Sequence, residues 1–232
     1  MLNDIEIAGW LKSSFIDFPE TVATVIFLSG CNLRCPYCHN PGIVNNAYGA
    51  VNFDEIREHL IRRMGVIEGV VVSGGEPTLH AGLPKLCDAL KVLSLRVKID
   101  TNGLEPERII VCDFDYLALD VKTSLKGYAR LNAPYRDCAE RLGQSVDIVK
   151  SMGDYAEVRV TAVPGIVDRD DIRDLCAELR GVRQVFIQQF EPNQQLLDPG
   201  YESIKPYPVE ELELWQNMFL DAGIDECDIR GV

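Results

Sequence analysis

Short apolar, β-branched runs alternate with helix-patterned stretches along the whole chain, and this alternation most narrows the folds open to it. Residues 22–28 (VATVIFL) lie between Pro19 and Gly30 and read as a buried strand. Further strand signals fall at 68–72, 95–101, 116–120, 156–163 and 185–189, with an additional one at 5–10. Helical patterns fall at 52–64, 82–93, 140–151, 170–179 and 209–222. About six βα units predict an α/β fold with a parallel sheet or partial barrel. At 232 residues and 47% hydrophobic the chain can bury one sizeable core, so a single domain over 1–232 is expected.

The first apolar run leads directly into Gly30-Cys31-Asn32-Leu33-Arg34-Cys35-Pro36-Tyr37-Cys38-His39-Asn40. The cysteines, spaced C-x3-C-x2-C, therefore sit on a loop leaving a strand's C-terminal end, where α/β sheets and barrels bind ligands. Three thiolates on one loop can hold an iron–sulfur cluster that commonly takes four cysteines, leaving one iron open to a small chelating group. Other readings of the same residues are a C-x-x-C redox dithiol, c-type haem attachment at C-x-x-C-H and structural zinc. Haem attachment requires export, and MLNDIEIAGW carries no basic region followed by an apolar core. Zinc is awkward because His39 directly follows Cys38 and no second ligand pair follows at finger spacing.

With 23 basic and 36 acidic residues the formal charge is −13, which argues against a nucleic-acid partner. The acids at 168–178 are expected on a solvated helix face. No apolar run approaches the roughly 20 residues of a membrane span, and no targeting segment is visible, so a cytoplasmic protein is expected. Cys87, Cys112, Cys138, Cys176 and Cys227 are scattered singly, as small buried residues rather than a disulfide framework. A reduced, anaerobic setting follows from an exposed cluster with an open iron.

Later strand ends carry further chemistry. The run 70–72 enters Ser73-Gly74-Gly75-Glu76-Pro77, whose paired glycines let the backbone approach a ligand or simply make a turn. The strand at 95–101 ends in Asp100-Thr101-Asn102-Gly103, and that at 116–120 in Asp120-Val121-Lys122. Each places an acid where it needs a cation, a hydroxyl or a ligand. Asp100 capping a turn and Asp120 pairing with Lys122 are the structural alternatives. Arg159 adds a planar fork suited to a carboxylate.

The cysteine loop with Tyr37 before its last cysteine, together with Ser73 to Pro77, resembles the radical S-adenosylmethionine superfamily. Asp100 to Gly103 and Leu119 to Lys122 resemble its glycyl-radical-enzyme activases, such as pyruvate formate-lyase activating enzyme. Phe15-Ile16-Asp17-Phe18-Pro19 and Cys38-His39-Asn40-Pro41 are similar to the anaerobic ribonucleoside-triphosphate reductase activating proteins. The resemblance implies a partial (β/α)6 TIM-like barrel. It implies that Cys31, Cys35 and Cys38 ligate one 4Fe-4S cluster whose fourth iron takes the amino and carboxylate groups of S-adenosylmethionine. It places Tyr37 near the adenine, Ser73, Gly74, Gly75 and Glu76 at the methionine amino end with Asp100 nearby, Asp120 on the ribose, and Lys122 with Arg159 on the carboxylate. The implied reaction is reductive cleavage of S-adenosylmethionine to a 5′-deoxyadenosyl radical that installs a glycyl radical on a partner enzyme, with an electron donor such as flavodoxin or ferredoxin.

One departure stands out: where the pyruvate formate-lyase activases carry a ribose-holding histidine, this chain has Gln188-Gln189-Phe190-Glu191-Pro192, with Glu191 as the substitute. Residues 40–53 lack the eight-cysteine insertion of larger activases, so one cluster is expected. Two alternatives share parts of this pattern. A small-molecule enzyme resembling 7-carboxy-7-deazaguanine synthase would use the same cofactor residues, whereas an iron–sulfur or redox carrier would leave Ser73 to Pro77, Asp100 and Lys122 without a role.

Overall fold

A computed structural model describes residues 4–131, 133 and 135–232. The strands are β1 Ile7–Ser14, β2 Ala23–Leu28, β3 Gly69–Gly74, β4 Arg96–Thr101, β5 Tyr116–Asp120, β6 Ala156–Ala162, β7 Gln184–Gln189 and β8 Glu226–Arg230. The α-helices are α1 Pro41–Val44, α2 Phe53–Arg62, α3 Leu83–Val92, α4 Pro106–Ile109, α5 Cys138–Met152, α6 Arg169–Glu178 and α7 Val209–Asp221. The fold is α/β, as expected, with strand and helix alternating in the manner of a partial TIM-like barrel. Four elements differ from the sequence reading, two of them the short helices α1 and α4, which it did not foresee. The first strand runs to Ser14 rather than Trp10, and β8 was not foreseen.

The chain divides into two compact units. The first comprises Met1–Asn32, Gly42–Thr101 and Glu107–Leu117. In it β1 pairs antiparallel with β2, while β2, β3 and β4 run parallel. Strand β2 is buried except at the half-buried Phe27 because its β-branched and apolar side chains pack on both faces. Asn52 starts α2 by accepting a hydrogen bond from the Asp54 amide at 2.9 Å, with Asp54 and Glu55 in the first turn where the helix dipole favours acids. On α3, Leu83, Leu86, Cys87 and Leu90 repeat at helical spacing and form its buried stripe.

The second unit comprises Leu33–Pro41, Asn102–Pro106 and Ala118–Val232, and in it β6, β7 and β8 run parallel. Helix α5 buries Leu142, Val146 and Val149 and stops at Gly153, whose φ of 58° suits a helix end. Helix α6 opens with a capping box: Asp168 accepts from the Asp170 and Asp171 amides, and Asp171 accepts from the Asp168 amide. The acids of this stretch are therefore not all on a solvated face. Asp171 is buried and also accepts from Ser124 and Arg130, both at 2.6 Å. Leu212, Trp215 and Phe219 form the buried stripe of α7.

Strands β4 and β6 share a pattern that positions the candidate site. Their alternate residues place Val97 and Ile99, or Val158 and Val160, on an apolar face. The opposite faces carry charge: Arg96, Lys98 and Asp100 on β4, and Glu157 and Arg159 on β6.

Candidate active site

In the first unit the parallel register sets Gly74 beside Leu28, so the Ser73-Gly74-Gly75-Glu76 stretch begins at the end of β3 against the end of β2. The two glycines are required by close approach of these backbones. A Cβ on Gly74, where φ is +116°, would lie 2.4 Å from the Leu28 nitrogen, and one on Gly75 would lie 1.8 Å from the Gly30 carbonyl oxygen. The Gly75 amide donates to the Leu28 carbonyl at 2.9 Å and the Glu76 amide to the Gly30 carbonyl at 2.8 Å. The stretch thus holds the turn leading into Cys31, which follows Gly30 and is half-buried. Ser73 is half-buried at the end of β3.

Glu76 is buried, and its Oε1 accepts from the Thr78 amide at 3.0 Å, the Thr78 hydroxyl, and the Thr101 hydroxyl at 2.7 Å. It caps the short helical turn Pro77–Leu79 and ties it to β4. Asp100 accepts at 2.7 Å from Lys98, a buried lysine that the sequence reading passed over.

In the second unit, Cys35 is buried and Cys38 half-buried, joined by a turn in which the Cys38 amide donates to the Cys35 carbonyl at 3.0 Å. The loop is anchored from a distant part of the chain: the Leu197 amide donates to the Cys38 carbonyl and the Asp198 amide to the Pro36 carbonyl. His39 donates from Nε2 to the Glu191 carbonyl at 2.8 Å, so the segment read as a ribose contact also steadies the cysteine loop through its backbone.

The Tyr37 ring meets Phe190 edge-on at 6.5 Å. Its buried hydroxyl has no hydrogen-bond partner, although the Cys35 thiol is near enough to affect its ionisation. Burial, then Cys35, raises the Tyr37 hydroxyl well above the ordinary phenol value.

At the end of β5, Asp120 accepts at 2.7 Å from Nε of Arg159 in the middle of β6, and Lys122 Nζ lies 3.3 Å from its other oxygen. Burial opposes the Asp120 charge, but Arg159 and Lys122 outweigh it and hold the carboxyl well below its usual range. Burial likewise opposes the Lys122 ammonium, and Asp120 with Cys35 outweighs it and raises its pKa. Burial pushes the Cys35 thiol up, while Lys122 pulls it back. Two residues outside the sequence reading extend the group: Glu157, buried, lies 3.9 Å from Arg159 and 3.1 Å from Arg230, whose guanidinium lies over the Phe186 ring. Strand alternation places Glu157 on the face of Arg159, a signal available from the sequence once β6 is assigned.

The superfamily model described as "Radical SAM superfamily" matches residues 25–179, two thirds of the chain. The chain belongs to the radical SAM superfamily. A provisionally named glycyl-radical enzyme activating enzyme of Methanocaldococcus jannaschii is 32% identical over 88% of this chain and 85% of its own length. The pyruvate formate-lyase-activating enzyme of Clostridium pasteurianum is 28% identical over 83% of this chain and 84% of its length. The crystal structure of QueE from Escherichia coli superposes with a TM-score of 0.61 at 16% identity, covering 98% of this chain and 94% of QueE, which shows a shared fold.

Radical SAM enzymes use a 4Fe-4S cluster and S-adenosylmethionine, and this chain is an enzyme of that kind. Its residues fit the pair. None of the three loop cysteines is held in a disulfide, a cation stands beside Cys35, and the buried Tyr37 hydroxyl lacks a hydrogen-bond partner. Among the described residues no three His, Cys, Asp or Glu side chains form a ready-made single-ion site. No helix among them is long and apolar enough to cross a membrane.

Proposed function

We propose that this radical SAM enzyme activates a glycyl-radical enzyme, with the whole chain, 1–232, acting as one catalytic domain. The observation that carries the reading is the likeness to the Methanocaldococcus jannaschii activating enzyme, which extends over 85% of that relative. The pyruvate formate-lyase-activating enzyme supports it over a similar span. The partner proposed is the anaerobic ribonucleoside-triphosphate reductase, on the strength of Phe15 to Pro19 and Cys38 to Pro41. A flavodoxin or ferredoxin is the proposed electron donor and the cytoplasm the proposed compartment.

Cys31, Cys35 and Cys38 would hold the cluster. Lys122 and Arg159 would take the carboxylate of S-adenosylmethionine, Asp120 the ribose, Ser73 to Glu76 with Asp100 the amino end, and Tyr37 the adenine. The chemistry supplied by the bound pair is one-electron cleavage of the sulfonium and abstraction of hydrogen from the partner's glycine. The chain's own residues prepare for this. Asp120 holds Arg159 and Lys122 in place before a carboxylate arrives, so less ordering is left to binding. Lys122, its pKa raised, keeps its proton beside Cys35. Tyr37 and Phe190 supply an apolar wall that excludes water.

The test is electron paramagnetic resonance on the reconstituted, reduced enzyme incubated with S-adenosylmethionine and the reductase of the same organism. A glycine-centred doublet is expected on the reductase. Cys35→Ala should lose the 4Fe-4S signal, whereas Cys87→Ala should keep it. Cofactor cleavage stimulated by a small metabolite, with every glycyl-radical enzyme of that organism left radical-free, would refute the proposal and favour a small-molecule enzyme.

A further inference from the structure

On the polar face of β4 two charged residues, Arg96 and Lys98, grip a distant stretch of chain. Arg96 donates to the Thr21 hydroxyl at 2.7 Å and its guanidinium lies 4.7 Å from the Phe18 ring centre. Lys98 donates to the Asp17 carbonyl oxygen and to Asp100 Oδ1, both at 2.7 Å, with its ammonium 6.0 Å from the Tyr116 ring centre. The loop it grips is itself set from below. Ser14 bonds the Asp17 carboxylate and accepts from the Ile16 and Asp17 amides at 3.3 and 3.2 Å.

Lys98 is among the largest fully buried side chains of the protein. A lysine so placed loses nearly all its hydration, and the loss is recovered only by partners held at fixed distance. Here one partner is a backbone carbonyl and the other is the carboxylate proposed to face the cofactor's amino end.

We infer that Lys98 is a positioning residue for S-adenosylmethionine binding: it aims Asp100 and locks that carboxylate to the loop 14–18. The inference rests on the cofactor reading of Asp100 and adds the residue that makes Asp100 competent. An acid at the end of a strand can swing among rotamers. Bonded to an ammonium that is itself bonded to a backbone carbonyl, it cannot. The same bond makes the position of the 14–18 loop and the direction of the Asp100 carboxylate one variable, so loosening either loosens both.

A double-mutant cycle tests this. S-adenosylmethionine affinity is measured by equilibrium binding on reconstituted protein for Lys98→Met, Asp100→Asn and the double variant, with iron content confirming that the cluster is loaded. Each single change is expected to weaken binding roughly tenfold, the scale of one charge-assisted hydrogen bond. The double variant should be no weaker than Asp100→Asn alone, because Lys98 acts only through Asp100. Hydrogen exchange on the metal-free protein is the second readout: Lys98→Met should speed exchange of the Ile16 and Asp17 amides. Where Lys98→Met does not fold, Lys98→Gln removes the charge while keeping a donor for the Asp17 carbonyl, and takes its place in the cycle.

Asp100→Asn binding as tightly as the wild type would overturn the reading of Asp100 itself. Asp100→Asn weakening while the Lys98 variant binds normally, or additive losses in the double variant, would overturn the inference about Lys98 and leave Asp100 standing.

Discussion

Two successive strand ends carry the same pair of residues in opposite order: Lys98-x-Asp100 on β4 and Asp120-x-Lys122 on β5. The Lys98 side chain is 2% exposed and sits 2.7 Å from its carboxylate, whereas Lys122 is 19% exposed and sits 3.3 Å from its own. The third partner makes the difference. At β4 it is the neutral Asp17 carbonyl, which Lys98 holds together with the Asp100 carboxylate. At β5 it is Arg159, and among the described residues Lys122, Arg159 and Arg230 meet Asp120 and Glu157. A buried pair tied to a backbone carbonyl fixes backbone, while a group with several cations in partial contact with solvent is placed to receive an anion. The same residue types thus build in one unit a pair locked to the backbone, which fixes the direction of the Asp100 carboxylate, and in the other a candidate group for receiving an anion.

The comparison breaks most sharply on stability. Lys98→Met removes the buried ammonium that joins Asp100 to the Asp17 carbonyl and should cost about 3–5 kcal/mol in denaturant unfolding of the metal-free protein. Lys122→Met, at a more exposed position where Arg159 still serves Asp120, should cost no more than about 1 kcal/mol. Equal losses would erase the distinction between locked pair and binding group.

Ligand binding sharpens the other side. Lys122→Ala should weaken S-adenosylmethionine binding by about 1.5–3 kcal/mol, as expected for one charge-assisted hydrogen bond, with the iron content unchanged. An unaltered dissociation constant would make Arg159 the principal carboxylate partner.

The smallest effect is on pH dependence. Asp120 has its folded pKa lowered below the unfolded value of about 3.9, so its stabilisation is complete above that pH and is lost as pH falls toward the folded value. The melting-temperature gap between wild type and Asp120→Asn should therefore be widest near neutrality and narrow below about pH 4. A gap constant from pH 7 to pH 3 would mean that Arg159 and Lys122 do not act on the ionised carboxylate.

What the amino-acid sequence determined by itself is local. Period-two and period-3.6 patterns placed six strands and five helices to within a few residues, because a half-buried element must repeat its apolar positions. They also placed the cysteine loop and the glycine-rich turn at strand ends. Strand β8 escaped because Glu226-Cys227-Asp228-Ile229-Arg230 alternates charge with only two apolar residues, a pattern shared by many loops. Strand β1 was read short because Leu11, Lys12 and Ser13 are exposed and carry no burial signal.

What only the tertiary structure decided is which charge meets which. That Asp100 answers to Lys98 two residues away was within reach of strand periodicity. That Lys98 also holds a carbonyl 81 residues earlier in the chain was not. Nor could the residues show that Glu76 spends Oε1 on Thr78 and Thr101, or that Glu157 joins Arg159 to Arg230. Residue type states that a buried charge requires a partner, but the partner is chosen by whichever strand the fold lays alongside, and that choice is not local to the sequence.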